Sequence, residues 1–372
     1  MDFDFSQEQY MFQDTIRELL ANALTMEHLR NGATEELWEQ LAETGVFALL
    51  TGEADGGLGL GFTDLALVFE EFGRALVPAP VAAAIVAGGV IARFGTPEQR
   101  AELLPGHGEG RLRLSPAFAE AGTTIPSAMT ATARPAGTGW TVSGSKILVP
   151  DAAAADKLLV ALRFGDDELG LALIEPTRAG VALREQNVLD LTARYHEVTF
   201  DRVALAASDI LGGKPDSATV VACFDAAAAV AALQMTGMAA RTLDEAVTYV
   251  GQRKQFDRLL GSFQAIKHRC ADMAVAVDAC RSAAYYAAWA LDEAAPDERA
   301  RAVSMAKSWC GDNARFTCNQ AIQLHGGIGF TWELGLHLFL RRIKCEEASF
   351  GDADWHRERV IDATLRSMEL TG

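Results

Sequence analysis

The sequence contains no CxxC pair. Its six cysteines, Cys223, Cys270, Cys280, Cys310, Cys318 and Cys345, are scattered through the later part of the chain with no histidine at metal-ligand spacing. That disfavours a metal site and a disulfide framework, and free buried thiols in a reducing compartment fit best. Basic residues are also scarce: Lys and Arg number 33 against 50 Asp and Glu, a net charge of -17, and no long basic stretch offsets that field. Nucleic acid is therefore a poor partner. The opening MDFDFSQEQ is acidic where an export signal needs a basic and then an apolar segment, so the cytoplasm is the expected compartment. The longest charge-free stretch, Ala75 to Ala92, is broken by Pro78, Pro80, Gly88 and Gly89, and reads as buried helix and loop rather than a membrane insertion. No internal repeat stands out.

What is present suits an ordinary folded protein of two or three domains: 372 residues, 49% hydrophobic and 22% charged. Residues 1–110 read as helices. Ser6 and Gln9 have capping-box spacing, and Thr96, Pro97 and Gln99 give a second start with proline at the first helical position. Leu37, Leu41 and Val46 form one apolar stripe; Leu65, Val68, Phe69 and Phe72 form another. Residues 111–208 break into short runs such as WTVSG, KLLVALRF, LGLALIEP and YHEVTF separated by Gly, Pro and Asp, which predicts an antiparallel β region. Residues 209–372 return to helix, with long segments near 216–251, 262–293, 298–324 and 353–369. Strands do not alternate with helices throughout, so the expected class is α+β, mostly α, rather than parallel α/β. GGLGLG at Gly56 to Gly61 is not a dinucleotide fingerprint, because neither G-x-G is followed by glycine three residues on.

Two segments carry candidate chemistry. In YVGQRKQFDRLLGSFQ, Tyr249 to Gln264, Arg253, Phe256 and Gln264 put a fixed cation, an aromatic ring and an amide near a helix-loop-helix corner, a set suited to a pyrophosphate and the ring of a nucleotide. In QLHGGIGFT, Gln323 to Thr331, the adjacent Gly326 and Gly327 allow close approach of a phosphate or another backbone. Taken singly, each also suits a plain helix end. Together, and in this order after a helix-sheet-helix chain, they resemble the acyl-CoA dehydrogenase superfamily over the whole length. The FSQEQ helix, the Gly56 to Gly61 turn, R-x-x-F with F-Q and A-x-M, and Q-x-x-GG-x-G all match.

The resemblance implies an N-terminal helical domain, a middle β domain and a C-terminal four-helix bundle, assembled as oligomers that hold FAD across a subunit interface. It also implies an acyl-CoA substrate, a glutamate base for the α proton and an electron-transferring flavoprotein as acceptor. By the family pattern, Arg253, Phe256, Gln264, Gln323, Gly326 and Gly327 would reach an FAD held mainly by a neighbouring subunit. Asp257 stands where the family usually has glycine. Groups for the chain's own FAD are missing: T-E-P-x-x-G-S-D is replaced by AFAEAGTTIPS, Ala117 to Ser127, and W-I-T-N by ILVPD, Ile147 to Asp151. Asp352 and Asp354 fall where threonine and glutamine are usual. The glutamate position reads Phe350, and an alternative base and its arginine correspond to Ala227 and Ala228.

This one-sided retention is similar to the small, base-lacking subunit of heteromeric acyl-CoA dehydrogenases, which act on bulky acyl-CoAs such as steroid side chains or on dicarboxylic ones. On that reading the chain has no catalytic residue, and a catalytic partner subunit supplies the base. Two alternatives stay open: a homo-oligomeric dehydrogenase or flavin oxidase using Glu346 or Glu347, and a flavin-free binding or scaffold protein. His268, His325, His337 and His356 show no triad-like pattern with Ser or Cys. Met235, Met238 and the Trp and Tyr residues of 285–309 are expected in the core.

Overall fold

The computed structural model describes residues 4–25, 28–29, 35–165 and 167–369, so the first three residues of the acidic opening lie outside it. Among the described residues the named helices that come first are α1 (Gln7–Ala23), α2 (Glu35–Glu43), α3 (Phe62–Ala75), α4 (Ala79–Phe94) and α5 (Pro97–Gly108). Both expected capping boxes form, at Ser6 with Gln9 and at Thr96 with Gln99. The Gln99 amide also donates to the carbonyls of Ser208 and Ile210, tying α5 to the link that follows the sheet. Leu37 and Leu41 are buried on α2, but Val46 lies beyond its end in a 3-10 turn entered through the left-handed Gly45.

Seven strands follow: β1 (Leu114–Ala117), β2 (Thr132–Ala136), β3 (Gly139–Pro150), β4 (Lys157–Phe164), β5 (Glu168–Ile174), β6 (Val181–Gln186) and β7 (Tyr195–Leu205). They form one sheet in the order β1-β4-β2-β3-β7-β6, with β5 also on β4. The sheet is mixed, not wholly antiparallel, since β1 and β2 both run parallel to β4. Inside it Lys146, fully buried, meets Glu120 at 2.7 Å. The Glu120 carboxylate accepts as well from the Thr130 and Ala131 amides. Burial holds the Lys146 ammonium down at about 8, with Glu120 pulling it back up.

The last region holds α6 (Ser217–Gln252), α7 (Gln264–Glu293), α8 (Pro296–His325), α9 (Leu336–Ala348) and α10 (Ala353–Glu369). Four of these match the helical segments legible in the sequence; α9 does not. Among the described residues α6 alone is long and apolar enough to cross a membrane, and it is mostly buried in the protein. Met235 and Met238 are in the core as expected, whereas Trp309 is exposed. All six cysteines are free; Cys270 and Cys345 are only partly buried.

Helices α3 and α6 cross so closely that only glycine fits at the contact. A Cβ on Gly73 would sit 2.0 Å from the Gln234 carbonyl oxygen, and one on Gly237 would sit 1.9 Å from that of Glu70. Backbone cannot yield as a side chain can, so Gly237→Ala is expected to force the helices apart. The expected cost is about 1–3 kcal/mol in a denaturant melt. An unchanged melt would mean that the crossing is looser than described.

Candidate functional site

The six candidate residues lie at one end of the C-terminal helices. Helix α6 stops at Gln252, where the Arg253 amide caps back to the Tyr249 carbonyl at 2.8 Å. A two-strand hairpin follows, β8 (Lys254–Gln255) and β9 (Arg258–Leu259), and its two loop residues are Phe256 and Asp257. Both have positive φ, 53° and 59°. Such a turn favours Asn-Gly, and a bulky aromatic there is strained. The glycine usual at position 257 thus has a backbone reason, and aspartate is among the side chains that tolerate the same region.

Phe256 is 84% exposed, touching Phe263 edge-on at 6.2 Å between ring centroids. The Arg258 guanidinium sits over the Phe263 ring at 3.8 Å. Gln264 opens α7, exposed, with its amide nitrogen 3.0 Å from His268 Nε2. Gln323 is exposed on the last turn of α8. That helix ends at Gly326 with φ 65° and ψ -142°, a conformation that needs glycine. Gly327 is different: a Cβ there would meet nothing within 4 Å, so no contact in this chain requires its smallness.

The two segments are held together from inside. The Tyr249 and His325 rings stack at 4.3 Å. Ala246, Val250, Met273, Ala321 and Leu324 form one buried cluster that joins the end of α6, the start of α7 and the end of α8. The corner is also locally basic. Arg253, Lys254, Arg258, Lys267 and Arg269 are exposed, and none forms an ion pair among the described residues. Asp257 is the one carboxylate in this stretch. In a chain of net charge -17 this local excess of positive charge is the kind of surface that attracts an anion. Motif reading had picked only Arg253 from it.

A cavity of about 330 Å³ opens between α4, the sheet, α6 and the end of α9. Ala227, Ala231, Phe118, Leu148 and Phe350 form much of its wall. Phe350 has φ 53° and its ring meets Phe118 and Phe224 at 6.4 and 6.1 Å. His356 holds this turn, with Nε2 2.8 Å from the Phe350 carbonyl oxygen and Nδ1 3.0 Å from Ser304 Oγ. His356 does face a serine, then, but both are fully buried, and burial pushes the imidazole down to about 3. Lys307, also buried, donates to the carbonyls of Glu347 and Gly351 at 3.0 and 3.1 Å.

The two adjacent glutamates part company. Glu347 is held by Arg315 at 3.0 Å and Lys344 at 2.9 Å, away from the cavity wall. Glu346 lines the cavity, where burial raises its pKa against the opposing pull of Arg342 and Lys307. Asp352 caps α10 through the Trp355 amide, and Asp354 pairs with Arg357 at 2.9 Å. Both carboxylates therefore have structural partners.

A model of the acyl-CoA dehydrogenase N-terminal domain matches residues 6–111, and one of the C-terminal domain matches residues 218–365. Among solved structures, the Tcur3481-Tcur3483 steroid ACAD is 31% identical, with 98% of this chain and 99% of that one covered and a TM-score of 0.89. The chain belongs to the acyl-CoA dehydrogenase family. A glutaryl-coenzyme A dehydrogenase in its glutaryl-CoA complex is 25% identical over 98% of this chain and 97% of that one, with a TM-score of 0.90. The ChsE4-ChsE5 complex from Mycobacterium tuberculosis, 23% identical over 98% and 99% with a TM-score of 0.90, shares the fold. Within the family architecture of helical, β and helical domains, the cavity is bounded by all three, whereas the basic corner belongs to the C-terminal helices alone.

Proposed function

We propose that this chain completes the FAD site of a catalytic acyl-CoA dehydrogenase subunit, in a hetero-oligomer that carries out α,β-dehydrogenation of an acyl-CoA thioester. The observation that carries the reading is the exposed corner. Phe256 accepts backbone strain while touching little of its own chain, Gly327 is small for no internal reason, and five exposed cations form no ion pair among the described residues. Strain and unpaired charge of this kind suit a ligand from outside.

The corner fits a flavin nucleotide. Arg253 and the basic patch would hold the pyrophosphate, Phe256 would lie against a ring, Gln264 and Gln323 would offer amides, and Gly326 and Gly327 would admit close approach. A flavin of the chain's own is disfavoured by the stretches that would hold it: AFAEAGTTIPS and ILVPD keep neither family pattern, and the one carboxylate of the first, Glu120, is committed to Lys146. Bound FAD supplies hydride acceptance in this family. The partner would supply the glutamate, and an electron-transferring flavoprotein would take the electrons in the cytoplasm. On this reading residues 209–372 form the FAD-completing unit, with 1–110 and 111–208 as the flanking helical and β domains. The steroid ACAD, whose name joins two components, favours a bulky acyl group.

Purified alone, the chain is expected to be colourless and inactive; co-purified with a dehydrogenase encoded beside it, it should give a yellow, active complex. A yellow, active single chain would overturn the proposal.

One observation favours a second reading, a homo-oligomeric dehydrogenase or oxidase. Glu346 faces the cavity with a raised pKa, as a base would, whereas Glu347 is tied down elsewhere. If that reading holds, Glu346→Gln abolishes flavin reduction by acyl-CoA and Glu347→Gln does not. Unchanged reduction in Glu346→Gln would eliminate it.

A further inference from the structure

The cavity has features that a mere remnant of a lost active site does not need. Its wall is largely apolar, yet two polar side chains on it make no side-chain hydrogen bond among the described residues. Gln234 is only 4% exposed and lies at the α3–α6 crossing, where its backbone is pinned by Gly73. Its carboxamide makes no hydrogen bond among the described residues. The Glu346 carboxyl, reaching in from α9, makes none either. The other polar groups on the wall are satisfied: Ser349 Oγ donates to the Cys345 carbonyl, Thr124 Oγ1 accepts from the Gly351 amide, and the Tyr195 hydroxyl reaches Asp190. The Gln234 carboxamide is open to the cavity space, so a molecule there can take up the hydrogen bonds that its own chain leaves unmade. Apolar walls with a few convergent polar groups are what small-molecule sites are made of.

We infer that the cavity binds a compact, neutral, mostly apolar molecule carrying one hydroxyl or carbonyl, which hydrogen-bonds to Gln234 and Glu346. Size follows from volume. A dry cavity of about 150 Å³ holds benzene, so one of 330 Å³ holds roughly two fused rings or a branched chain of about ten carbons. Charge follows from the wall: an anion would face the Glu346 carboxyl while Lys344, also on the wall, is engaged by Glu347 at 2.9 Å, and a cation would find few acceptors besides Glu346. Such a site in a subunit without a base would be an accessory or regulatory one. It does not depend on how the exposed corner is used.

The probe is 1-naphthol, with naphthalene as its apolar counterpart, titrated calorimetrically into the full chain. One equivalent of 1-naphthol should bind saturably and at least fivefold more tightly than naphthalene. Ala227→Phe, which fills the cavity, should weaken both by tenfold or more. Gln234→Leu should weaken 1-naphthol about fivefold and leave naphthalene unchanged, a selective effect that misfolding would not produce. Equal affinity for the two probes, no saturable binding by the parent chain, or loss of both in Gln234→Leu would overturn the inference. Failure here would leave FAD retention by the complex untouched. Conversely, a chain that binds 1-naphthol but never supports a flavin complex would sink the proposed function alone.

Discussion

Acidification from pH 7 to pH 5 should lower the unfolding free energy by about 4 kcal/mol through two histidines. His107 and His356 are both fully buried, and desolvation pushes them down to about 4 and about 3 from an ordinary value of 6.5. His107 Nε2 has no hydrogen-bond partner, and a Cβ on the neighbouring Gly88 would lie 2.2 Å from it. No room exists there for water or a counter-ion. His356 is bonded at both nitrogens and is opposed by the charges of Lys307 and Arg359. In each case the folded state prefers the neutral ring. The stabilisation is therefore complete above pH 6.5 and is lost as pH falls toward the folded value, because the unfolded chain takes up the proton first. Each histidine accounts for about 2 kcal/mol of the change by pH 5. In urea melts, His107→Leu and His356→Gln combined should flatten the pH slope between 5 and 7, whatever they do to stability at pH 7. A slope unaltered by the pair would show that the rings are more hydrated than their burial implies.

Phe256→Gly should move stability and cofactor retention in opposite directions. With φ at 53° the phenylalanine holds a left-handed conformation that costs a bulky side chain about 1 kcal/mol or more, and glycine relieves it. Because the ring is 84% exposed, little burial is lost in exchange. The isolated chain should melt at the same or a higher denaturant concentration. In the proposed complex with a catalytic subunit, Phe256→Gly should release FAD at least tenfold more readily, and Arg253→Ala should do the same without the gain in stability. Equal flavin retention by parent and Phe256→Gly complexes would remove the exposed corner from the cofactor site.

Much of the fold was legible because its signals are local. The capping boxes at Ser6 and Thr96, the change of period after residue 110 and the long helices all depend on neighbours within a few residues. Helix α9 was missed because its thirteen residues include two arginines, a lysine and two glutamates, which break the apolar stripe. One of those arginines, Arg342, is buried against Asp190 at 2.5 Å, a pairing across the fold that no local pattern announces. The parallel pairing of β1 and β2 with β4 was hidden for the same reason, since strand direction is settled by partners far away in sequence. Gln234 escaped notice although it interrupts an alanine-rich run, because a single amide in a buried helix more often finds a partner than faces a cavity.

The sequence by itself determined the family, the helix-sheet-helix order and the pair of motifs at the corner. These are identities and spacings. Only the tertiary structure decided that Phe256 points outward under strain, that Gly327 is small for no internal reason, and that Glu346 faces the cavity while Glu347 turns to Arg315. Adjacent residues on a helix project about 100° apart, so which of two glutamates meets a cavity depends on how the helix is rotated against its neighbours. That rotation is set by packing contacts between distant segments.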